Sequence, residues 1–164
     1  DRELSMLPTK MMSWAPFIDT NNLPGTTPQD VENLTVSLQS LNLRMQELLE
    51  ARGNNQSPFL VRTMLEDVRN WRVIVQKAFK RLASDPSIAN REVFRSRLDD
   101  IMDQLEARIE MTMNEAPEGE LQDQDRENFY RLLGAYRGVS EALVNYAGSA
   151  GAVNWTRWHE ERFA

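Results

Sequence analysis

The chain contains no cysteine and only one histidine, His159, among its 164 residues. The lack of cysteine excludes disulfide bridges and thiolate zinc sites. A lone histidine also leaves nucleophilic triads and histidine-based metal centres without their usual partners, because the only carboxylates that adjoin it in sequence are Glu160 and Glu161. We therefore expect a protein that is not an enzyme and that has no metal site and no cofactor.

Long apolar runs and an excess of positive charge are missing as well. No stretch of about 18 apolar residues occurs, so we expect no helix that spans a bilayer. The 25 acidic and 19 basic residues give a net charge of −6, and this balance disfavours nucleic acid as a partner. The sequence starts at Asp1 rather than at methionine, which favours a soluble domain excised from a longer protein.

Four segments of about 25 residues carry apolar residues at alternating spacings of three and four, the pattern of packed helices. Thr27 and Pro28 form a cap and first-turn proline, and Ser57 and Pro58 repeat this signature before the second segment. Glycine and proline clusters separate the segments, and the last one is expected to end at Gly148. The predicted helices cover residues 28–53, 58–84, 90–115 and 122–147.

Connections of a few residues require neighbouring helices to run antiparallel. We therefore predict an all-α, antiparallel up-down-up-down four-helix bundle with an irregular N-terminal arm and a short C-terminal helical segment. The expected divisions are the arm over 1–27, the bundle over 28–147 and an aromatic tail over 148–164. The apolar pattern places Val61, Trp71, Phe94, Phe129 and Tyr136 in the core.

Several polar and small-residue patterns have an ordinary structural interpretation. Asp99 and Asp103 share a helix face that also carries arginines, so ion pairs are favoured over a cation site. The acidic run around Asp125 fits the positive end of a helix dipole better than a calcium loop. Gly134 and Gly138 within the fourth helix predict close approach of another backbone, from a neighbouring helix or from a dimer partner.

Aromatic and methionine side chains outside the bundle form the predicted interaction surface. Four antiparallel helices place residues near Thr27 and Ala147 at the same end of the bundle, so the arm and the tail emerge side by side. We expect them to pack on each other or on the bundle, and this end to face the membrane or a partner subunit. The residues of this surface are Met11, Met12, Trp14, Phe17, Trp155, Trp158 and Phe163.

The tail over 154–163, NWTRWHEERF, resembles the ending of FUSC-type proteins, the aromatic-acid-exporter-like efflux family of the bacterial inner membrane. The start over 2–8, RELSMLP, is similar to the stretch that follows the last membrane helices of such proteins. The resemblance implies a transporter-like membrane protein with soluble helical domains on the cytoplasmic face. It transfers no catalytic motif.

Three functions follow as alternatives. The first is a non-enzymatic domain of a FUSC-like efflux transporter that serves assembly, regulation or partner binding. Its partners would be the membrane-embedded part of the parent chain or another subunit, with homo-oligomers and small-molecule ligands left open. The second is a periplasmic ligand-sensing bundle of a membrane receptor. The third is a small all-helical enzyme, which would need several cations around one apolar cavity. The cations considered for it are Arg69, Arg72, Lys77, Lys80 and Arg81.

Overall fold

Four α-helices make up the fold seen in a computed structural model, which describes residues 25–85 and 90–155. Within these ranges there is no strand. The helices pack as an all-α four-helix bundle, which confirms the predicted fold class. Residues 1–24 of the predicted arm, and the predicted C-terminal helical segment beyond Trp155, lie outside the described residues. The helices are α1 (Pro28–Gly53), α2 (Pro58–Ser84), α3 (Arg91–Glu115) and α4 (Asp123–Ala152).

The helix starts follow the local sequence, with one exception. Thr27 Oγ1 accepts a hydrogen bond from the Asp30 N–H at 3.2 Å, and the Asp30 carboxylate accepts the Thr27 N–H at 2.8 Å. This reciprocal pair closes the first turn of α1 as predicted. Ser57 occupies the corresponding position before α2, but its hydroxyl makes no capping hydrogen bond. Pro58 therefore starts α2 without the help of a side-chain cap.

The core forms where the apolar faces of the four helices meet. Trp71, Phe129 and Tyr136 are buried, as the sequence predicted. Burial of a large apolar side chain contributes about 1.5–3 kcal/mol, so the shared core is the main source of stability. The side chains with less than 2 % exposure include Leu41, Leu60, Met64, Leu82, Leu98, Leu105, Ile109, Val139, Leu143 and Tyr146.

Two predicted core positions were wrong. Val61 is 44 % exposed, and Leu60, one residue earlier, takes the buried place on α2. Val61 lies at heptad spacing from Val68 on the flank of α2 that faces α1, where the two helices hardly pack. Phe94 is only partly buried, because it borders an open groove between α2 and α3.

The last helix is longer than predicted. It continues through Gly148 to Ala152 instead of ending at Ala147. Ala150 is fully buried, and the side chain of Arg91 lies over Gly148, where an added Cβ would be 3.1 Å from Arg91 Cδ. Burial of the small residues in this stretch outweighs the cost of about 1 kcal/mol for each glycine in a helix interior.

The expectation that a backbone closely approaches Gly134 and Gly138 was also wrong. Gly134 has open space where a Cβ would lie. A Cβ at Gly138 would be 3.2 Å from Cδ of Arg44, so the neighbour is a long side chain of α1 and not a backbone. The α1–α4 pair is nevertheless the most extensively packed pair of helices in the bundle.

The packing of the helix pairs is unequal. α4 packs against both α1 and α3, and α2 packs against α3, whereas α1 and α2 barely approach each other. Asp67 of α2 lies 3.2 Å from Nε of Arg108 on α3, an ion pair that is not aligned as a hydrogen bond. The bundle is therefore open along its α1–α2 side. Among the described helices, none combines the length and the apolar character needed to cross a membrane.

Candidate functional site

The two ends of the described chain meet at one end of the bundle. The Asn154 backbone N–H donates to Oγ1 of the buried Thr26 at 2.9 Å. Trp155 packs against the core, and its indole N–H donates to the Ala150 carbonyl at 2.8 Å. We call this region, residues 25–30 and 148–155, the terminal end. It confirms that the chain enters and leaves the bundle on the same side.

Of the predicted interaction surface, only Trp155 falls within the described residues. It is partly buried, and it covers the last turns of α4. Its role in an interaction stays a prediction. Six of the predicted interaction residues lie outside the described residues, and so does the lone histidine, His159. These six are Met11, Met12, Trp14, Phe17, Trp158 and Phe163.

An apolar cleft separates α1 from α2. Trp71 and Tyr136 form its floor with ring centroids 4.6 Å apart and planes at 71°, an edge-to-face pair. The Trp71 indole N–H donates to Oγ of Ser140 at 2.9 Å, and Ser140 donates in turn to the Tyr136 carbonyl at 3.0 Å. These hydrogen bonds satisfy the buried indole N–H of Trp71 and the buried hydroxyl of Ser140. The cleft encloses about 580 Å³, including space open to solvent.

The rims of this cleft, which we call the α1–α2 cleft, carry exposed apolar side chains and two arginines. Leu49 lines it and is 43 % exposed, while Arg52 and Arg72 stand on opposite rims. Burial raises the pKa of Tyr136, although the two arginines partly offset this effect. The phenol is thus held in its neutral form, which suits an apolar contact surface better than acid–base chemistry.

A larger groove runs between the C-terminal third of α2 and the N-terminal half of α3. Its floor is apolar, with Ile74, Phe94 and Ile101 only partly buried against the core. It encloses about 1480 Å³, part of which is open to solvent. We call it the α2–α3 groove. Its charged lining residues are Lys77, Lys80, Arg81, Arg97 and Asp100.

The cations of α2 divide between these two depressions. Arg72 belongs to the α1–α2 cleft, whereas Lys77, Lys80 and Arg81 line the α2–α3 groove. Arg69, the fifth cation considered, lines neither depression. Sequence reasoning missed the contribution of Arg97, which α3 brings to the same groove. The helical position of Arg97, one turn after Phe94, was the signal that could have identified it.

A third depression, between α3 and α4, is polar and internally balanced. Arg95, Asp99, Arg137 and Glu141 line it. Arg137 pairs with Glu106, and the hydrogen bond to this carboxylate raises the pKa of the guanidinium. Within the described residues Asp99 and Asp103 form no ion pair, so the expected pairing of these two carboxylates is not seen.

Other predicted candidates have structural roles. The Asp125 carboxylate accepts the Gln122 N–H at 3.0 Å, so the interpretation of this acidic residue as part of the helix start is confirmed. In the part of the chain that the structure describes, no three histidine or carboxylate side chains group as metal ligands do. No family model matches the chain, and no curated protein or solved structure matches it either.

Proposed function

We propose that this bundle is a non-enzymatic domain of a FUSC-like efflux transporter of the bacterial inner membrane, and that it serves assembly, regulation or partner binding. The observation that carries the proposal is the hydrogen bond between Asn154 and Thr26, which joins the two ends of the bundle chain. Both continuations of the chain start from the terminal end. They can therefore form one docking surface together.

The composition of these continuations supports the proposal. The arm carries Met11, Met12, Trp14 and Phe17. The tail carries the aromatic residues Trp158 and Phe163. If these side chains lie together on the surface, the apolar patch that they form would mark an interaction site. The resemblance of both stretches to FUSC-type sequences favours the membrane-embedded part of the parent chain, or another subunit, as the partner. We propose the cytoplasmic face of the membrane as its location.

The arrangement of charges supports binding rather than catalysis. Lys77, Lys80 and Arg81 share the α2–α3 groove with Arg97, but among the described residues that line it there is no serine, threonine or histidine to act with them. The two most buried phenols, Tyr136 and Tyr146, have raised pKa values, and they are therefore poor general bases at neutral pH.

Photo-crosslinking in bacterial cells that contain the intact parent protein tests this proposal. The crosslinking residue p-benzoylphenylalanine would replace Gln29, which is exposed at the terminal end. The matched control position is Tyr130, which is 52 % exposed in the half of α4 nearer the opposite end. We expect crosslinks from position 29 to an inner-membrane transporter segment and none from position 130. Equal crosslinking from both positions, or none from position 29, would contradict the proposal.

The second candidate function is that of a periplasmic ligand-sensing bundle, which the α2–α3 groove favours. A groove with an apolar floor and several cations has the chemistry of a ligand site in a helical sensor. The intact protein distinguishes the two functions. Membrane helices on both sides of this domain would favour the sensor, whereas several before it and none after it would favour the transporter.

A further inference from the structure

We propose that the α2–α3 groove binds a small organic anion with a single aliphatic chain. The apolar floor would hold the chain, and the cations around it would hold a carboxylate or phosphate head. The groove lies along the side of the bundle. This inference therefore goes beyond the proposed docking of the terminal end and does not depend on it.

The charge of the groove is opposite to that of the molecule. The whole chain has a net charge of −6, but four cations and one carboxylate line this groove. Within residues 25–85 and 90–155, no carboxylate forms an ion pair with any of these four cations. An uncompensated cluster of this kind raises the local concentration of anions. The four cations are Lys77, Lys80, Arg81 and Arg97.

The floor explains why the anion should carry an apolar body. Ile74, Phe94 and Ile101 face the groove half-buried, with Ala78 and Leu98 buried beneath. Each exposed cation alone contributes little, because water and salt screen it. Removal of apolar surface from water adds to the affinity, so an anion with a chain binds better than an inorganic anion.

The shape of the groove favours a narrow, elongated ligand. From Phe94 to Ile101 the floor follows two turns of α3, which corresponds to about 10 Å along the helix. One side of the groove is open, so the space of about 1480 Å³ between its walls is shared with solvent. A short acyl chain fits the length of this floor, and its head reaches the flexible cations at the rim.

Titration of the protein with octanoate, followed by backbone amide NMR, tests the proposal. We expect saturable shifts at residues 74–81 and 94–101, and none along the α1–α2 cleft. The neutral analogue 1-octanol should bind at least about tenfold more weakly, because it lacks the charge that the cations recognise. Inorganic phosphate at the same concentration should not displace octanoate.

A charge-reversal variant gives the matched comparison. Lys77→Glu combined with Arg97→Glu should weaken octanoate binding by at least about tenfold. Arg69→Glu combined with Arg62→Glu reverses the same number of exposed cations on α2 outside the groove, and it should change binding by less than about twofold. All of these side chains are exposed, so thermal midpoints near that of the parent protein will verify folding.

Three outcomes would overturn the proposal. The first is no saturable shift at the groove, and the second is an equal loss of binding in both double variants. The third is binding of phosphatidylglycerol vesicles or of an acidic helical peptide at this groove without binding of octanoate. That result would assign the groove to a membrane surface or to a protein partner.

Discussion

Trp71 connects the core to the open side of the bundle. Its ring packs edge-to-face on Tyr136, and its indole N–H is bonded to Ser140, so it holds α2 against α4 where α1 gives little support. Loss of this side chain would leave both a cavity and a buried hydroxyl without its donor. A residue in this position affects stability more than its share of the core area suggests.

We predict that Trp71→Ala lowers the free energy of unfolding by about 3–5 kcal/mol, the usual cost of removing a buried aromatic ring. Urea unfolding followed by circular dichroism measures this change. Val36→Ala on α1, where the side chain is 56 % exposed, is the control and should change stability by less than about 0.5 kcal/mol. An unchanged midpoint in Trp71→Ala would show that the heptad assignment of α2 is incorrect.

The second residue-level prediction concerns pH. Burial raises the pKa of Tyr146 from the usual 10.0 to about 12. The folded state therefore holds the phenol proton more tightly than the unfolded state. The stability from the neutral phenol is complete below pH 10, and it is lost as the pH rises from 10 toward 12.

Between pH 7 and pH 11, we predict that the free energy of unfolding falls by about 1 kcal/mol less in Tyr146→Phe than in the parent protein, because phenylalanine cannot ionise. Urea unfolding at the two pH values measures the difference. Tyr130→Phe makes the same substitution at a half-exposed position of the same helix and controls for the loss of a hydroxyl group. The same pH dependence in Tyr146→Phe and in the parent protein would rule out a contribution from this tyrosine.

At the scale of the helices, turn and cap signals predicted most boundaries correctly, and tertiary packing determined the rest. The sequence placed α1, α2 and α3 to within a residue because prolines and capping side chains act locally. It ended α4 too early because Gly148 reads as a stop signal. Only the folded molecule places Arg91 over this glycine and buries Ala150.

The candidate sites were less predictable than the helices. The sequence supplies the cations on α2 and the apolar position of Phe94 on α3. The groove exists only because the packing of α2 against α3 leaves Phe94 half-covered. Similarly, the spacing of apolar residues along α2 does not show that α1 hardly packs against this helix. The sequence therefore placed Val61 in the core. Openings of this kind between helices depend on how the helices are placed relative to one another. A single sequence does not encode this placement locally.

The caps of α1 and α2 provide a comparison of two helix starts. Thr27 bonds the Asp30 N–H, whereas the Ser57 hydroxyl makes no capping bond, although a proline follows each residue. We predict that Thr27→Ala destabilises the protein by about 0.5–2 kcal/mol and that Ser57→Ala costs less than half as much. Urea unfolding of both variants tests this. A larger effect at Ser57 would contradict the assigned caps.

The terminal end determines how the whole molecule can be connected to anything else. α1 begins and α4 finishes there, and Arg91 at the start of α3 lies over Gly148 at the same end. The opposite end contains only the α1–α2 and α3–α4 connections. Any partner bound through the arm or the tail would therefore meet the end of the bundle that lies nearer to the α2–α3 groove than to the α1–α2 cleft.

The central claim is that the arm and the tail emerge together and form one surface. A pair of spin labels at positions 12 and 158 tests it, with labels at Gln29 and Gly151 as a reference pair within the bundle. Each label can be attached to a single introduced cysteine, because the chain has no native cysteine. We predict that both distance distributions centre well below the length of α1, which is about 39 Å for its 26 residues. A distribution for 12 and 158 centred at or beyond that length, with the reference pair still close, would contradict the shared surface.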